Sequence, residues 1–260
     1  MVFTRIMGDN KMASKLKAIE PTKTEAKKPK IMVFGKPGVG KSYVSLDFPS
    51  CYYIDSESGA NLEHYQEKLK KSGGVYMGPD QGALDFQTVI EQIQALATEK
   101  HSFKTVIIDS FTKVYNMAVA AEYERLLSKG AKIEFSIEKK PAAAYSKRLL
   151  NWLSRLDMNV ILICHEKPEW KGGEQIGETF DGFDKLAYEL DLCLNVIKSG
   201  PSRSALIKKS RLEQFKEGTS FPWSYDEFAK LYGEDVIQKQ STQITLATDE
   251  QLKELDKLLS

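Results

Sequence analysis

Residues Gly35-Lys36-Pro37-Gly38-Val39-Gly40-Lys41-Ser42 satisfy the pattern G-x-x-x-x-G-K-[ST] at every position. That spacing predicts a loop that cradles phosphate. Its glycines let successive backbone N–H groups turn toward one anion. A helix opening directly behind the loop would present its positive end to the same charge. Lys41 would meet the β- and γ-phosphates of a nucleotide, and Ser42 would offer its hydroxyl to Mg²⁺. The residues expected to hold the cofactor are Gly35 through Ser42 together with Tyr43, and the expected cofactors are ATP and Mg²⁺.

Other chemistry-bearing residues sit at the ends of short apolar runs. Asp109 closes Thr105-Val106-Ile107-Ile108-Asp109, where a carboxylate behind a phosphate loop holds the Mg²⁺ shell, directly or through water. Asp55-Ser56-Glu57 closes a second run, and a carboxylate there could face the γ-phosphate and orient water. Cys164-His165-Glu166 closes a third. Lysines 129, 132, 139, 140 and 147, with Arg148, form a basic cluster against Glu134 and Glu138.

These residues need a scaffold that gathers strand ends on one edge. Four runs are short and rich in β-branched or aromatic residues: 31–34, 50–54, 105–109 and 159–164. They read as strands buried on both faces of a parallel sheet. Between them, Phe86, Val89, Ile90, Ile93 and Ala97 share one helix face. Tyr145, Leu149, Trp152, Leu153 and Leu156 share another. Strands alternating with such helices predict an α/β fold, a mostly parallel sheet flanked by helices. Two further strands are expected near 190–197 and 204–209, and Gly200-Pro201 between them predicts an antiparallel end hairpin. The stretch from Glu166 to Phe183, with Gly172, Gly173, Gly177 and Gly182, reads as a loop.

Composition excludes several classes. The 260 residues are 42% hydrophobic and 28% charged, ordinary for a globular chain. No run approaches the length of a membrane span, and no apolar leader core is present, so a cytoplasmic protein with no membrane partner is expected. Cys51, Cys164 and Cys193 are isolated, as buried thiols in a reducing compartment would be, and no zinc spacing occurs. Residues 1–30 hold eight Lys/Arg and three Asp/Glu, against 29 and 33 in the rest. The expected organisation is a basic arm at 1–28, a core at 29–215, an extension at 216–247 and an amphipathic helix at 248–260. Thr248 and Gln251 would cap that last helix, and Leu252, Leu255, Leu258 and Leu259 form its stripe. The stripe packs on the core or docks a protein partner.

With its phosphate loop, acidic strand end and later motifs, the chain resembles the RecA-like P-loop ATPases over residues 30–215. Within them it looks like phage-encoded nucleotide-binding proteins of the AAA/RecA type, some of which are single-strand annealing recombinases. That resemblance implies that Glu57 activates water and that His165 senses the γ-phosphate. It further implies that Lys209 and Arg211 reach a neighbouring subunit's ATP site from Leu206-Ile207-Lys208-Lys209-Ser210-Arg211. The family's DNA loops correspond to the basic cluster and to the 166–183 stretch. In the latter Lys167, Trp170 and Lys171 offer cations and a stacking face among many acids. The implied function is a DNA-stimulated ATPase that binds single-stranded DNA, promotes annealing or recombination, and self-associates into a ring or filament in the host cytoplasm. The alternatives are a nucleotide-dependent adaptor for a replication or recombination partner and a P-loop kinase. The kinase reading is weakened by the absence of an Arg-rich lid segment.

Overall fold

A computed structural model of the chain describes residues 26–82 and 84–244. The elements run β1 (Lys30–Gly35), α1 (Lys41–Ser45), β2 (Cys51–Asp55), α2 (Glu63–Lys71), β3 (Val75–Met77), α3 (Phe86–Thr98), β4 (Thr105–Asp109), α4 (Phe111–Ser128) and α5 (Lys139–Arg155). They continue with β5 (Asn159–Lys171), β6 (Glu174–Asp181), α6 (Leu186–Glu189), β7 (Leu192–Ser199), β8 (Ser202–Ser210), β9 (Ser220–Pro222), α7 (Tyr225–Tyr232) and α8 (Glu234–Gln238).

One nine-stranded sheet carries the order β3-β2-β4-β5-β1-β7-β8-β9, with β6 paired to β5. β3, β2, β4, β5, β1 and β7 are parallel, while β8 pairs antiparallel with β7, β9 with β8, and β6 with β5. This is the expected α/β architecture: a mostly parallel sheet flanked by helices, closed by the β7–β8 hairpin. Alternation along β1 shows why the sheet must be covered twice. Met32 and Phe34 join a core under α3, α4 and α5, while Ile31 and Val33 join a second core under α1, α2 and α7. All four are buried. A parallel sheet places the carboxyl ends of its strands on one edge, where open α/β sheets bind ligands. Here Asp55 pairs with Asp109 and Asp109 with Ile163, while Gly35 pairs with His165 two residues further along that edge.

The structure corrects the reading of the stretch after Cys164. The fourth strand does not end at Cys164 but runs on to Lys171, and the expected 166–183 loop is largely a β-hairpin. Gly172 (φ 63°) and Gly173 (φ 89°) form its two-residue turn. Left-handed backbone at both positions gives the turn a twist that matches paired strands, and glycine adopts it without steric cost.

Residues on both sides of the expected 215/216 boundary pack together. Phe228 is fully buried, with its ring centroid 5.4 Å from Phe48, 5.5 Å from Phe215 and 6.4 Å from Phe221. Phe228→Ala is therefore expected to cost about 3–5 kcal/mol. That should lower the melting midpoint by roughly 10 °C. A midpoint equal to wild type in thermal unfolding would make 216–244 an accessory layer after all.

The last residues assigned to the arm are also docked. Lys28 is buried and its ammonium donates to the Lys239 carbonyl, while the Tyr232 hydroxyl donates to the Lys27 carbonyl at 2.6 Å. The rest of the arm, 1–25, and the 248–260 helix lie outside the described residues. All three cysteines are buried free thiols. Among the described residues no helix is long and apolar enough to cross a membrane.

Candidate functional site

The phosphate loop connects the buried end of β1 to α1, as its motif requires. Gly40 caps the helix with φ 93°, a left-handed conformation that costs glycine nothing. Lys41 folds back over the loop, and its ammonium donates to the Gly35 carbonyl at 2.7 Å and the Lys36 carbonyl at 2.9 Å. Burial pulls the Lys41 ammonium below its ordinary pKa, while Asp109, Glu57 and Glu166 pull it back upward. It thus faces three carboxylates across the cleft.

Asp109 is 7% exposed at the end of β4. One of its oxygens, Oδ2, accepts hydrogen bonds from the Ser42 hydroxyl and from the Tyr53 hydroxyl at 2.6 Å. Burial raises the Asp109 pKa, and the two hydroxyls oppose that shift by stabilising the anion. Ser42 and Asp109 therefore already share a point in space. Magnesium keeps several waters and takes few protein ligands when it also binds phosphate, so this hydroxyl–carboxylate pair fits it. Among the described residues no group of three or more His, Cys, Asp or Glu is placed to hold a metal alone.

The two acids at the close of β2 divide their work. Asp55 is buried and saturated. Its Oδ1 accepts from the Glu57 N–H at 3.0 Å and the Gly59 N–H at 3.3 Å, and its Oδ2 from the Ala60 N–H at 2.9 Å and the Tyr76 hydroxyl at 3.1 Å. It ties the loop that carries Glu57. Glu57 stays accessible: its Oε1 accepts from the Ser110 hydroxyl at 2.5 Å and lies 2.7 Å from His165 Nε2. Its Oε2 receives no hydrogen bond from the described residues. Ser56 locks the strand ends together: its N–H donates to the Asp109 carbonyl at 2.7 Å, and its hydroxyl donates to the Ser110 carbonyl at 3.1 Å.

Gly35, Pro37, Gly38, Lys41, Ser42, Glu57, Asp109, His165 and Glu166 line one cleft of about 450 Å³. Five candidate residues from distant stretches (Lys41, Ser42, Glu57, Asp109 and His165) are thus brought together. Tyr43 points elsewhere. It is 46% exposed, with its ring 5.8 Å from that of Tyr65 and under the Lys68 ammonium at 3.4 Å. Sequence reasoning missed Tyr53, Ser110 and Glu166. Glu166 accepts at 3.0 Å from the amide of Asn195, a polar residue buried in β7.

Lys209 and Arg211 are not brought to this cleft. Lys209 pairs with Cys193 at the start of β7, on the opposite edge of the sheet. Their side chains donate to the carbonyls of Leu190 and Tyr188, respectively. Arg211 also lies one residue past the end of β8, so the expected alternation stops short of it.

The basic residues Lys129, Lys132, Lys139, Lys140, Lys147 and Arg148 are all exposed on α5 and the segment before it. Tyr145 stacks on Phe86 at 5.8 Å, and Phe86 meets Phe111 at 5.9 Å, two residues after Asp109. The first turns of α5 therefore lie on the cleft edge of the sheet. The hairpin leaves the same edge with Trp170 63% exposed. Asp181 joins hairpin to α4: it accepts from Lys167 at 3.4 Å and Asn116 at 3.1 Å, and its carbonyl accepts from Thr112 at 2.5 Å.

The crystal structure of the RadB recombinase is similar over 75% of this chain and 87% of that chain, at 17% identity and a TM-score of 0.46. No curated protein matches the sequence. A phosphate loop between β1 and α1, with carboxylates converging on it from the next strand ends, is the core of a nucleotide-binding domain. A family model described as an AAA domain matches residues 27–211, which hold all of these elements, and the chain belongs to that family.

Proposed function

We propose that this protein is a RecA-like ATPase that binds single-stranded DNA and promotes annealing or recombination. One observation carries the reading: Lys41, Ser42, Asp109, Glu57 and His165, from four separate segments, line a single cleft beside the phosphate loop. Phosphoryl transfer needs positioning and charge stabilisation more than covalent chemistry from the protein. The loop N–H groups and Lys41 hold the phosphates. Ser42 and Asp109 would hold Mg²⁺, which neutralises charge on the phosphate oxygens. Glu57 accepts a proton from the attacking water through its open Oε2 as the γ-phosphoryl bond breaks, leaving ADP and phosphate. His165 steadies Glu57 and stands where β5 becomes the hairpin.

The nucleic-acid surface would be the cleft edge itself. Trp170 offers a stacking face, flanked by Lys167 and Lys171, and the α5 lysines supply phosphate contacts. The acids of the hairpin keep it from being a plain basic groove. Lys209 and Arg211 have no part in their own cleft, so a catalytic role for them requires a neighbouring subunit in a ring or filament. A phage setting, and a protein partner at 248–259, belong to the same reading.

The test is steady-state ATP hydrolysis with and without single-stranded oligonucleotide, at low and at physiological salt. DNA is expected to accelerate hydrolysis, less so as salt rises, because phosphate contacts weaken steeply with ionic strength. Hydrolysis that ignores DNA at both salts would sink the DNA assignment and leave the ATPase standing.

A further inference from the structure

The phosphate loop leans on the β7–β8 hairpin at both ends. At its start, a Cβ on Gly35 would meet the Val196 carbonyl oxygen at 2.5 Å. At its end, a Cβ on Gly40 would meet Arg203 Nε at 2.7 Å and Cδ at 2.9 Å. Arg203 lies on β8, and its Nε donates to the Val39 carbonyl at 3.1 Å across 164 residues of sequence. No carboxylate among the described residues pairs with it.

We infer that Arg203 is a positioning residue for nucleotide binding, acting on the phosphates through the Val39–Gly40 peptide of its own chain. A trans peptide is planar, with its C=O and N–H directed to opposite sides. The Val39–Gly40 bond is trans. Pinning its carbonyl outward on the guanidinium fixes the Gly40 N–H inward, on the side of the loop away from Arg203. That N–H makes no hydrogen bond with the described residues, so it is available to an anion. The cation also polarises the peptide it holds, which strengthens the N–H as a donor to a charged acceptor. Gly40 thereby has a second reason to be glycine, since a side chain there would displace the arginine. The inference rests on the nucleotide reading of the cleft and adds to it a support that the loop motif does not contain.

The experiment compares wild type, Arg203→Ala, Arg203→Lys and Lys41→Ala by calorimetric titration with ATP and with ADP, by steady-state hydrolysis, and by melting without nucleotide. Arg203→Ala is expected to weaken ATP and ADP by about tenfold alike, with kcat at saturating ATP within about twofold of wild type. Its melting midpoint should be unchanged. Arg203→Lys, which keeps a cationic donor, should recover most of the affinity. Wild-type affinity in Arg203→Ala, alongside lost binding in Lys41→Ala, would overturn the inference and leave the nucleotide site intact. Equal loss in both Arg203 variants together with a lowered melting midpoint would also overturn it, as a packing effect. A wild type that binds neither nucleotide would remove the nucleotide reading itself, and this inference with it.

Discussion

Lys41→Ala should weaken ATP binding by a hundredfold or more while the chain stays folded. A charge-assisted hydrogen bond contributes about 1.5–3 kcal/mol, and Lys41 is placed to make one to each of two phosphates. Losing both corresponds to about 3–6 kcal/mol. The lysine is also the counter-charge to Asp109, Glu57 and Glu166. Without it three carboxylates face an incoming polyanion alone. Folding should be nearly indifferent, because the two carbonyls that Lys41 now holds belong to a loop that water can reach, and burial of the ammonium is itself unfavourable. Titration calorimetry reads the affinity and circular dichroism the fold. Undiminished ATP affinity in this variant would move the nucleotide off this loop.

Glu57→Gln should lower kcat by at least about a hundredfold with ATP affinity close to wild type, since general-base contributions run from about 10² to 10⁴. The glutamine retains the shape and one carbonyl oxygen, so Ser110 and His165 keep their partner. What disappears is the basic lone pair on the open oxygen. Rapid-quench measurement of a single turnover separates this loss from any change in product release. Turnover similar to wild type would exclude Glu57 as the base, and undetectable turnover in the wild type would favour an adaptor that binds nucleotide without consuming it.

What the sequence disclosed and what it hid follow from range. The phosphate loop is eight consecutive residues whose geometry is dictated by its own glycines, so it could be read directly. Asp109 and Glu57 were legible because parallel strands deliver their last residues to a common edge. The partners that tune them were not. Tyr53 reaches Asp109 only because β2 and β4 pair in one particular register. Asn195 reaches Glu166 only because β1, β5 and β7 lie side by side. Arg203 meets the loop through a sheet contact that no local pattern encodes. The hairpin was legible in principle: a Gly-Gly pair between polar segments is a turn signal. Its four glycines and many acids favoured a loop reading instead. Lys209 and Arg211 were placed by resemblance alone, and their own carbonyl partners at the far edge were invisible without the register of β8.

The docking of Lys27 and Lys28 against α7 and Lys239 has a practical consequence for handling the molecule. Residue 26 precedes the first residue of β1 by four positions. Residue 244 is fixed on the same side, where its N–H donates to the Ala97 carbonyl at 2.7 Å near the close of α3. Both residues lie on the edge of the sheet opposite the cleft, a strand length of about 17 Å away. A probe attached at residue 26 or at residue 244 therefore sits about a strand length from the cleft. Nucleotide affinity read from either probe should then match the affinity of the unlabelled protein in calorimetric titration.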